Sequence, residues 1–363
     1  MTTTQQGNRQ FRLARRPVGM PTRDDWQQTT EPVQPPPEGG VQVRTLALSL
    51  DPAMRGWMNE DKSYIAPVGL GEVMRAGGIG RVVASSHASF PVGALVSGVL
   101  GVQEVATFTA AEAAKTGLAR IDPRLGTIPQ WLNVLGMPGM TAYFGLLDVG
   151  QPQPGDTVVV SGAARAVGQT VGQLARIKGC RVVGIAGGRA KCDWVVNELG
   201  FDACIDYKAG NVRAGLKEYC PNGVDVYFDN VGGEILDEVL ARLAMRARIV
   251  ICGAISQYNN TEPVKGPRNY LSLLVHRARM QGMVVFDYTD RFPHAIGELS
   301  GYLRDGRLKS REDIVEGLEQ FPDALNRLFT GANFGKLVLQ VAKDEEPARQ
   351  GNGPALGREG GAG

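Results

Sequence analysis

The sequence has few of the residues that bind metals or form disulfides. It contains 5 cysteines and 3 histidines in 363 residues, and no Cys-x-x-Cys pair occurs. A structural or catalytic zinc site needs three or four such ligands within reach of one another. We therefore expect no bound metal, and we expect the scattered cysteines to be reduced and mostly buried.

The sequence also lacks an excess of charge and a long apolar run. Its 39 Lys+Arg and 37 Asp+Glu leave a formal net charge of +2, which gives no footprint for nucleic acid or for a membrane surface. No apolar run approaches the roughly 18 residues of a membrane helix, and residues 1–16 lack the apolar core of a signal peptide. We expect a cytoplasmic protein with neither of those partners.

Two patterns of secondary structure divide the chain. Short apolar runs alternate with Gly and Pro over residues 11–137, which indicates an antiparallel, β-rich domain. Buried strands alternate with helices over residues 138–305, which predicts a doubly wound parallel sheet. Residues 306–343 should hold a pair of helices, in DIVEGLEQFPDALNRLFTG, and a strand, KLVLQV, that returns to the first domain. We expect residues 1–10 and 344–363 to be disordered.

The stretch from Val158 to Gly168 joins a buried strand to a helix through a turn of small residues. Dinucleotide-binding folds hold a pyrophosphate at such a turn, on the amides and dipole of the helix N-terminus. The glycines of the Gly-x-Gly-x-x-Gly pattern would fall at positions 163, 165 and 168, and only Gly168 is present. A simple packing turn is the alternative. The strand, the helix and the next strand at the expected distance favour nucleotide binding.

The end of the next strand distinguishes the two nicotinamide cofactors. NAD-dependent enzymes usually have Asp or Glu there, to bind the ribose hydroxyls. This sequence has Gly187, Gly188, Arg189, Ala190 and Lys191 instead. The two cations could attract the 2′-phosphate of NADP, with a further hydrogen bond from Tyr207, or they could simply be solvated at the start of a helix. The pattern favours NADP over NAD.

Arg165 stands where the pattern has its middle glycine. A side chain there takes space that the backbone needs beside the pyrophosphate, and an unusual φ costs a non-glycine residue about 1–3 kcal/mol. The guanidinium could instead bind the phosphates, or it could turn outward into solvent. We expect the steric cost to be larger, so that Arg165→Gly tightens NADPH binding.

Six blocks of sequence resemble one branch of a known family. They are LSLDPAMRGWM (48–58), GMPGMTAYFGLLDVG (136–150), VSGAARAVGQTVGQLARIKGCRVVGIAGG (160–188), FDNVGG (228–233), ICGAISQYN (251–259) and ANFGKLVL (332–339). In this order they are similar to the prostaglandin/leukotriene reductases, the plant double-bond reductases and the curcumin-type reductases of the zinc-independent medium-chain dehydrogenase/reductase superfamily. The resemblance implies a GroES-like β-rich N-terminal domain, a Rossmann domain, NADPH as cofactor and, usually, a homodimer.

The resemblance also implies which residues contact NADPH. The phosphate contacts fall on Ala166, Val167 and Gly168, beside Arg165, and the 2′-phosphate falls on Lys191 and Tyr207. The adenosine and nicotinamide contacts implied are Asn230, Cys252, Gly253, Ala254, Ile255, Ser256, Tyr258, Met283, Val284, Val285 and Asn333. Asn230 and Asn333 could instead be turn or capping residues, and Cys252 is expected to contribute only backbone.

The family transfers hydride to the β-carbon of an enone or enal, so that negative charge develops on the carbonyl oxygen. Without a metal, hydrogen-bond donors must stabilise that charge. Tyr258 is the expected catalytic donor, and Tyr64, in a Gly/Pro-rich loop, is expected to shape the substrate pocket. Half-buried packing is the alternative for both tyrosines. Arg55 either faces the substrate pocket or forms a structural salt bridge.

Other functions stay open at this stage. An NADPH:quinone oxidoreductase of the same superfamily would use the same hydride without a metal. A nucleotide-binding protein without catalysis is favoured by Arg165, since that residue departs from the fingerprint. A zinc alcohol dehydrogenase is disfavoured by the positions of the cysteines.

Overall fold

The computed structural model describes residues 7–344, and the strands in that range form three sheets. The strands are β1 (Gly7–Leu13), β2 (Trp26–Pro32), β3 (Val41–Ser49), β4 (Gly77–Ser85), β5 (Leu95–Val99), β6 (Val105–Phe108), β7 (Ala119–Arg120), β8 (Thr157–Ser161), β9 (Arg181–Ala186), β10 (Ala203–Asp206), β11 (Val224–Asp229), β12 (Leu243–Ile251), β13 (Arg279–Gly282), β14 (Glu312–Glu316) and β15 (Lys336–Gln340).

Helices cover the parallel sheet and connect the strands. The α-helices are α1 (Ala53–Trp57), α2 (Ala110–Lys115), α3 (Ile128–Trp131), α4 (Met137–Phe144), α5 (Ala166–Ile177), α6 (Arg189–Asn197), α7 (Val212–Tyr219), α8 (Gly233–Leu240), α9 (Ser272–His276), α10 (Phe292–Arg304) and α11 (Phe321–Thr330). Short segments of other helix types occupy Arg23–Asp25, Gly145–Gly150, Val285–Arg291 and Leu318–Gln320.

The larger sheet combines β3 to β7 with β14 and β15, which come from near the end of the described chain. Its order is β14-β15-β3-β4-β5-β7, with β6 also paired to β3, and β15 runs antiparallel to β3. Leu337 and Leu339 of β15 lie in the same apolar core as Val41 and Val43 of β3. The last strand therefore returns to the N-terminal sheet, as the sequence predicted. β1 and β2 form a separate two-stranded ribbon.

The parallel sheet has the order β10-β9-β8-β11-β12-β13. If β8 is counted as strand 1 and the others follow in chain order, this is the 3-2-1-4-5-6 order of a dinucleotide-binding fold. Such a fold binds its ligand where the strand order reverses. Every residue of β8 is buried, because helices cover both faces of the sheet. The predicted α/β class, with a β-rich part and a Rossmann part, is confirmed. The crevice between the ends of β8 and β11 is the expected binding position.

Two local predictions were wrong. Residues 7–10 are not disordered, because they pair with β2 as part of β1, and Gln10 is buried. The first half of the predicted helix pair is the strand β14, whose Ile314 and Val315 pair with β15. β-branched residues fit such a pleated edge, and only the distant β15 supplies the partner. The predictions for residues 1–6 and 345–363 lie outside the described residues.

Sheet membership favours a division of the chain after residues 137 and 305. The strands from β1 to β7 precede the first boundary, β8 to β13 lie between the two, and β14 and β15 follow the second. We keep this division into catalytic, cofactor-binding and returning segments as a proposal.

Candidate cofactor and active site

The turn between β8 and α5 brings backbone close to backbone. Gly162 has φ 63°, which is the left-handed conformation that favours glycine. A Cβ added to Gly168 would lie 2.3 Å from the Gly162 carbonyl oxygen, so only glycine lets the helix approach the turn. The fingerprint predicted its first glycine at position 163, but the left-handed residue is one position earlier. The amides of Ala166, Val167 and Gly168 start the helix at this turn and face no intrahelical acceptor.

Arg165 is unstrained and points into the protein. Its φ of −108° and ψ of 176° are ordinary extended backbone, so the predicted steric strain was wrong. Its Nη1 is buried and has no hydrogen-bond partner within residues 7–344, so a solvent-facing side chain is also excluded. A Cβ on Gly331 would lie 3.7 Å from Nη2 of Arg165 and 3.9 Å from the Tyr207 hydroxyl. Burial lowers the pKa of the guanidinium.

Lys191 lies next to that guanidinium. Its Nζ donates to the carbonyl oxygens of Gly331 and Asn333, both at 2.7 Å, and so ties α6 to the segment before β15. Burial, and then the charge of Arg165, lower the pKa of Lys191 to about 8. Arg189, in contrast, is 92% exposed and is 3.5 Å from Asp193, so its predicted alternative role as a solvated charge fits better.

Tyr207 completes this group from the end of β10. A Cβ on Gly187 would lie 2.8 Å from the Tyr207 hydroxyl, so the glycines after β9 leave room for the ring. One cavity of about 480 Å³ is lined by Tyr207, Arg165 and Lys191. Its lining also includes Gly162 and residues 231–235 and 255–257. The three side chains predicted at the phosphates therefore lie together.

Within residues 7–344 the two cations have no carboxylate partner. Neither Arg165 nor Lys191 forms a salt bridge with any described residue. Asp313 is the acid whose charge acts on Lys191, and its Oδ2 already accepts from Nη2 of Arg327, at 2.7 Å, and from the Phe334 amide, at 3.0 Å. Asp206 is likewise occupied, because its Oδ1 accepts from the amides of Gly188, at 2.7 Å, and Lys208, at 3.0 Å. Glu234 also lines the cavity. Adjacent unpaired cations repel each other, and a phosphate between them would neutralise both. The residues present thus fit a 2′-phosphorylated dinucleotide.

A buried carboxylate organises the opposite side of the crevice. Oδ1 of Asp229 accepts from the Tyr227 hydroxyl at 2.8 Å, from Oγ of Ser161 at 3.0 Å and from the amides of Val231 and Gly232, both at 2.9 Å. Burial raises the pKa of Asp229, against the effect of these donors. The sequence reading missed this group, although a serine and an aspartate at the ends of buried strands were a usable signal.

Asn230 holds the same loop to β8. Its amide donates to Oγ of Ser161 at 2.9 Å and its Nδ2 donates to the Ser161 carbonyl oxygen at 2.8 Å. Asn230 therefore has the turn role that was the predicted alternative to a cofactor contact. Asn333 is buried as well, with Nδ2 donating to the Gly335 carbonyl oxygen at 3.0 Å and Oδ1 unpartnered in the described chain. A cofactor contact of Asn333 stays a prediction.

Tyr258 lies against the loop that follows β12. Its hydroxyl oxygen accepts from the Ala254 amide at 3.1 Å, so its own proton is available to another acceptor. A Cβ on Gly253 would lie 2.8 Å from that oxygen, so glycine is needed there. Burial raises the pKa of Tyr258, which keeps the phenol neutral. Burial raises the pKa of Cys252 to about 12, in keeping with a backbone-only role.

The rest of this loop and the segment after β13 lie beside the same crevice. Ile255 and Ser256 line the cavity, and Oγ of Ser256 donates to the Val231 carbonyl oxygen at 2.6 Å. Met283 and Val285 pack on the apolar core under the parallel sheet, with Val284 between them. The Met283 amide donates to the Ile251 carbonyl oxygen at 3.2 Å, which fixes this segment to the end of β12.

The two residues predicted at the substrate, Tyr64 and Arg55, differ in exposure and in contacts. Tyr64 is 57% exposed and its ring centroid is 6.2 Å from that of Phe286. Arg55 is buried and its Nε donates to Oδ1 of Asn259 at 3.0 Å, while its Nη2 donates to the Pro17 carbonyl oxygen at 3.0 Å. Of the two alternatives for Arg55, the salt bridge is not formed within the described residues, because the acceptors of Arg55 are amide and carbonyl oxygens. Its contact with the neighbour of Tyr258 favours a positioning role.

Fold and site together define a dinucleotide-dependent oxidoreductase. Family profiles described as "N-terminal domain of oxidoreductase" and "Zinc-binding dehydrogenase" match residues 9–116 and 166–301. Despite the second description, the described residues contain no cluster of three His, Cys, Asp or Glu side chains that could hold a metal.

Close relatives cover nearly the whole chain. The NADPH-dependent curcumin reductase of Escherichia coli (strain K12) is 42% identical over 95% of this chain and 100% of its own length. The 2-alkenal reductase (NADP(+)-dependent) of Nicotiana tabacum is 40% identical over 85% and 90%. A crystal structure of CurA in complex with NADPH from Vibrio vulnificus is 44% identical, with a TM-score of 0.87 over 92% and 99%. The chain belongs to the zinc-independent medium-chain dehydrogenase/reductase family, in the branch of these reductases, as the sequence predicted.

Proposed function

We propose that the protein reduces the carbon–carbon double bond of α,β-unsaturated ketones or aldehydes with NADPH. The observation that carries the proposal is the hydroxyl of the half-buried Tyr258, which accepts from the Ala254 amide and keeps a proton to donate. The unpaired Arg165 and Lys191 support NADPH as the cofactor. The names of the curcumin and alkenal reductases and the NADPH complex of CurA agree with both parts.

NADPH, when bound, supplies the hydride that reaches the β-carbon. The carbonyl oxygen of the substrate then gains negative charge, and a fixed hydrogen-bond donor lowers the energy of that state. Tyr258 donates to this oxygen, and the Ala254 amide strengthens the donor because hydrogen bonds in a chain polarise one another. Arg55 holds Asn259 and so orients the loop, while Tyr64 covers the substrate. The α-carbon takes its proton from solvent or from a nearby hydroxyl.

A substrate panel tests this function. NADPH oxidation is followed with an enone, an enal, a quinone and a simple alcohol, each at matched concentration. We expect turnover with the enone and the enal. Turnover confined to the quinone would support the NADPH:quinone oxidoreductase instead. NADPH binding without turnover of any compound would support a binding protein without catalysis.

Lys191→Gln is expected to lower the preference for NADPH over NADH about tenfold. One charged hydrogen bond is worth about 1.5–3 kcal/mol, and Lys191 already donates to two carbonyl oxygens, so the lower part of that range applies. Titration of both cofactors into both proteins gives the four Kd values. Arg189→Gln is the matched control, since that exposed cation should leave the preference unchanged. An unchanged preference in Lys191→Gln would remove Lys191 from the site.

The NADPH affinities of the wild type and of Lys191→Gln should depend differently on pH. Lys191 has a pKa of about 8, and a bound phosphate favours its charged form, so binding raises that pKa. NADPH affinity of the wild type should therefore fall as the pH rises through about 8, and the affinity of Lys191→Gln should fall less.

The purified protein is expected to contain no stoichiometric zinc, and chelators should leave its turnover unchanged. In the proposed reaction the charge that develops on the substrate carbonyl oxygen is stabilised by the Tyr258 hydroxyl, so no metal ion is required. Elemental analysis and activity after dialysis against a chelator measure both outcomes. One zinc ion per chain, lost together with activity, would contradict this mechanism.

A homodimer and a cytoplasmic location complete the proposal, with a small molecule as the substrate and neither nucleic acid nor membrane as a partner. β13 is an edge strand of the parallel sheet, and the neighbouring Leu274 and Val275 are 74% and 61% exposed. An exposed strand edge beside apolar side chains is a template for pairing with a second copy. No helix within residues 7–344 is long and apolar enough to cross a bilayer. Light scattering would test the dimer.

A further inference from the structure

Two thiols lie on the elements that carry Lys191 and Tyr207. Cys192 follows Lys191 in α6, Cys204 lies in β10, and their sulfur atoms are 3.0 Å apart. A disulfide bond is about 2.05 Å long, so a movement of about 1 Å would bring the sulfurs to bonding distance. Cys204 is half-buried and Cys192 is buried, so only a small oxidant such as hydrogen peroxide suits the pair.

The surroundings make Cys192 the nucleophile and Cys204 its partner. The Cys204 thiol donates to the sulfur of Cys192, which lowers the pKa of Cys192 and raises that of Cys204. Cys192 also lies near the N-terminus of α6, where the helix favours a thiolate. Burial raises the pKa of Cys180 and Cys220 to about 11, so those thiols are inert by comparison.

We propose that Cys192 and Cys204 are a redox modification site, which closes to a disulfide with hydrogen peroxide and weakens NADPH binding. The Cys192 thiolate attacks one peroxide oxygen, the O–O bond breaks, and Cys192 becomes a sulfenic acid as the other oxygen leaves as water after protonation. The Cys204 thiol then attacks the sulfenic sulfur and a second water leaves. Two thiols lose two electrons and two protons, and one peroxide becomes two waters.

The disulfide acts on the cofactor site through α6. Space around the pair is tight, because a Cβ on Gly184 would lie 3.1 Å from the Val195 side chain and 3.3 Å from the Cys204 sulfur. Side-chain rotation alone is therefore restricted, and closure draws α6 and β10 together. Lys191 lies next to Cys192 and donates to Gly331 and Asn333, so its ammonium moves with the helix. This consequence rests on the proposed NADPH site, whereas the disulfide itself does not.

The disulfide is tested on the full-length protein treated with hydrogen peroxide. Intact mass without reductant should fall by two hydrogens, and digestion should yield one peptide pair that joins Cys192 to Cys204. Cys192→Ser and Cys204→Ser should each prevent the crosslink, while Cys180→Ser should retain it. A full count of titratable thiols after treatment, or oxygen addition without a crosslink, would overturn the proposal.

The effect on the cofactor is measured on the same samples. Oxidation should raise the Kd for NADPH about tenfold, as expected for one lost charged contact, and dithiothreitol should restore it. Cys192→Ser and Cys204→Ser should show no change in Kd on treatment. A crosslink with an unchanged Kd would overturn the link to the cofactor. Failure of the reduced protein to bind NADPH would instead contradict the proposed function, while the crosslink would still stand.

Discussion

Tyr258→Phe is expected to lower kcat about 10²–10³-fold, because that is the usual cost of one missing donor to a developing oxyanion. The Kd for NADPH should hardly change. The hydroxyl is needed where charge develops on the substrate, and that charge is small in the ground state. The ring stays in place in the variant, so the loop from 252 to 259 keeps its packing. Single-turnover rates of NADPH oxidation and NADPH titration measure the two quantities.

Phenylalanine also removes the acceptor of the Ala254 amide. A buried donor without a partner costs about 1–3 kcal/mol of folding free energy, so the thermal midpoint of the variant must be measured beside its rate. Tyr64→Phe is the matched control, since the exposed Tyr64 should affect KM more than kcat. Wild-type turnover of a stable Tyr258→Phe protein would return Tyr258 to a packing role.

Local pattern predicted the elements of the fold wherever a strand is buried on both faces. β8 is buried throughout and leads directly into α5, so its apolar run could be interpreted without knowledge of its neighbours. β14 is different, because only its pairing with β15, about twenty residues further on, makes Glu312–Glu316 a strand. Without that partner, the charged and β-branched residues of Glu312–Glu316 are also compatible with a helix. Such pairing is not encoded in the local segment, and the prediction there was wrong.

The candidate site shows the same limit at single residues. Lys191 and Tyr207 were predicted to lie together from their positions after β9 and β10, and they line one cavity. The acceptors of Arg55, in contrast, come from residues 17–19, Asn59 and Asn259, which are brought together only by the folded chain. Asp229 likewise needs Ser161 and Tyr227 as donors. Sequence indicates the end of a strand, whereas hydrogen bonds across strands require the fold.

Arg165→Gly is expected to raise the Kd for NADPH about ten- to a hundredfold, the loss of one charged hydrogen bond to phosphate. The steric expectation from the fingerprint had the opposite sign. It assumed a strained φ at Arg165, but the left-handed residue is Gly162 and the side chain extends towards Tyr207 and Gly331. Because its neighbours are Lys191 and Tyr207, we assign the guanidinium to the 2′-phosphate. The Kd for NADH should then hardly change.

Removal of the guanidinium should also stabilise the protein without its cofactor. Arg165 has a buried Nη1 without a partner and lies close enough to Lys191 to lower the pKa of that lysine. The free protein therefore carries an unfavourable charge pair that the phosphate relieves. Arg165→Gly should raise the thermal midpoint of the free protein and reduce the shift caused by NADPH. Arg165→Met should do the same, which separates the lost charge from the added backbone freedom of glycine.

Titration of NADPH and NADH at two salt concentrations decides between the remaining possible roles of Arg165. A charge contact is screened by salt, so the difference between wild type and Arg165→Gly should shrink at the higher concentration. Equal losses for NADPH and NADH would move the guanidinium from the 2′-phosphate to the pyrophosphate. Tighter NADPH binding by the glycine variant at both concentrations would contradict the assignment and restore the steric interpretation, because space beside the phosphates would then outweigh the charge.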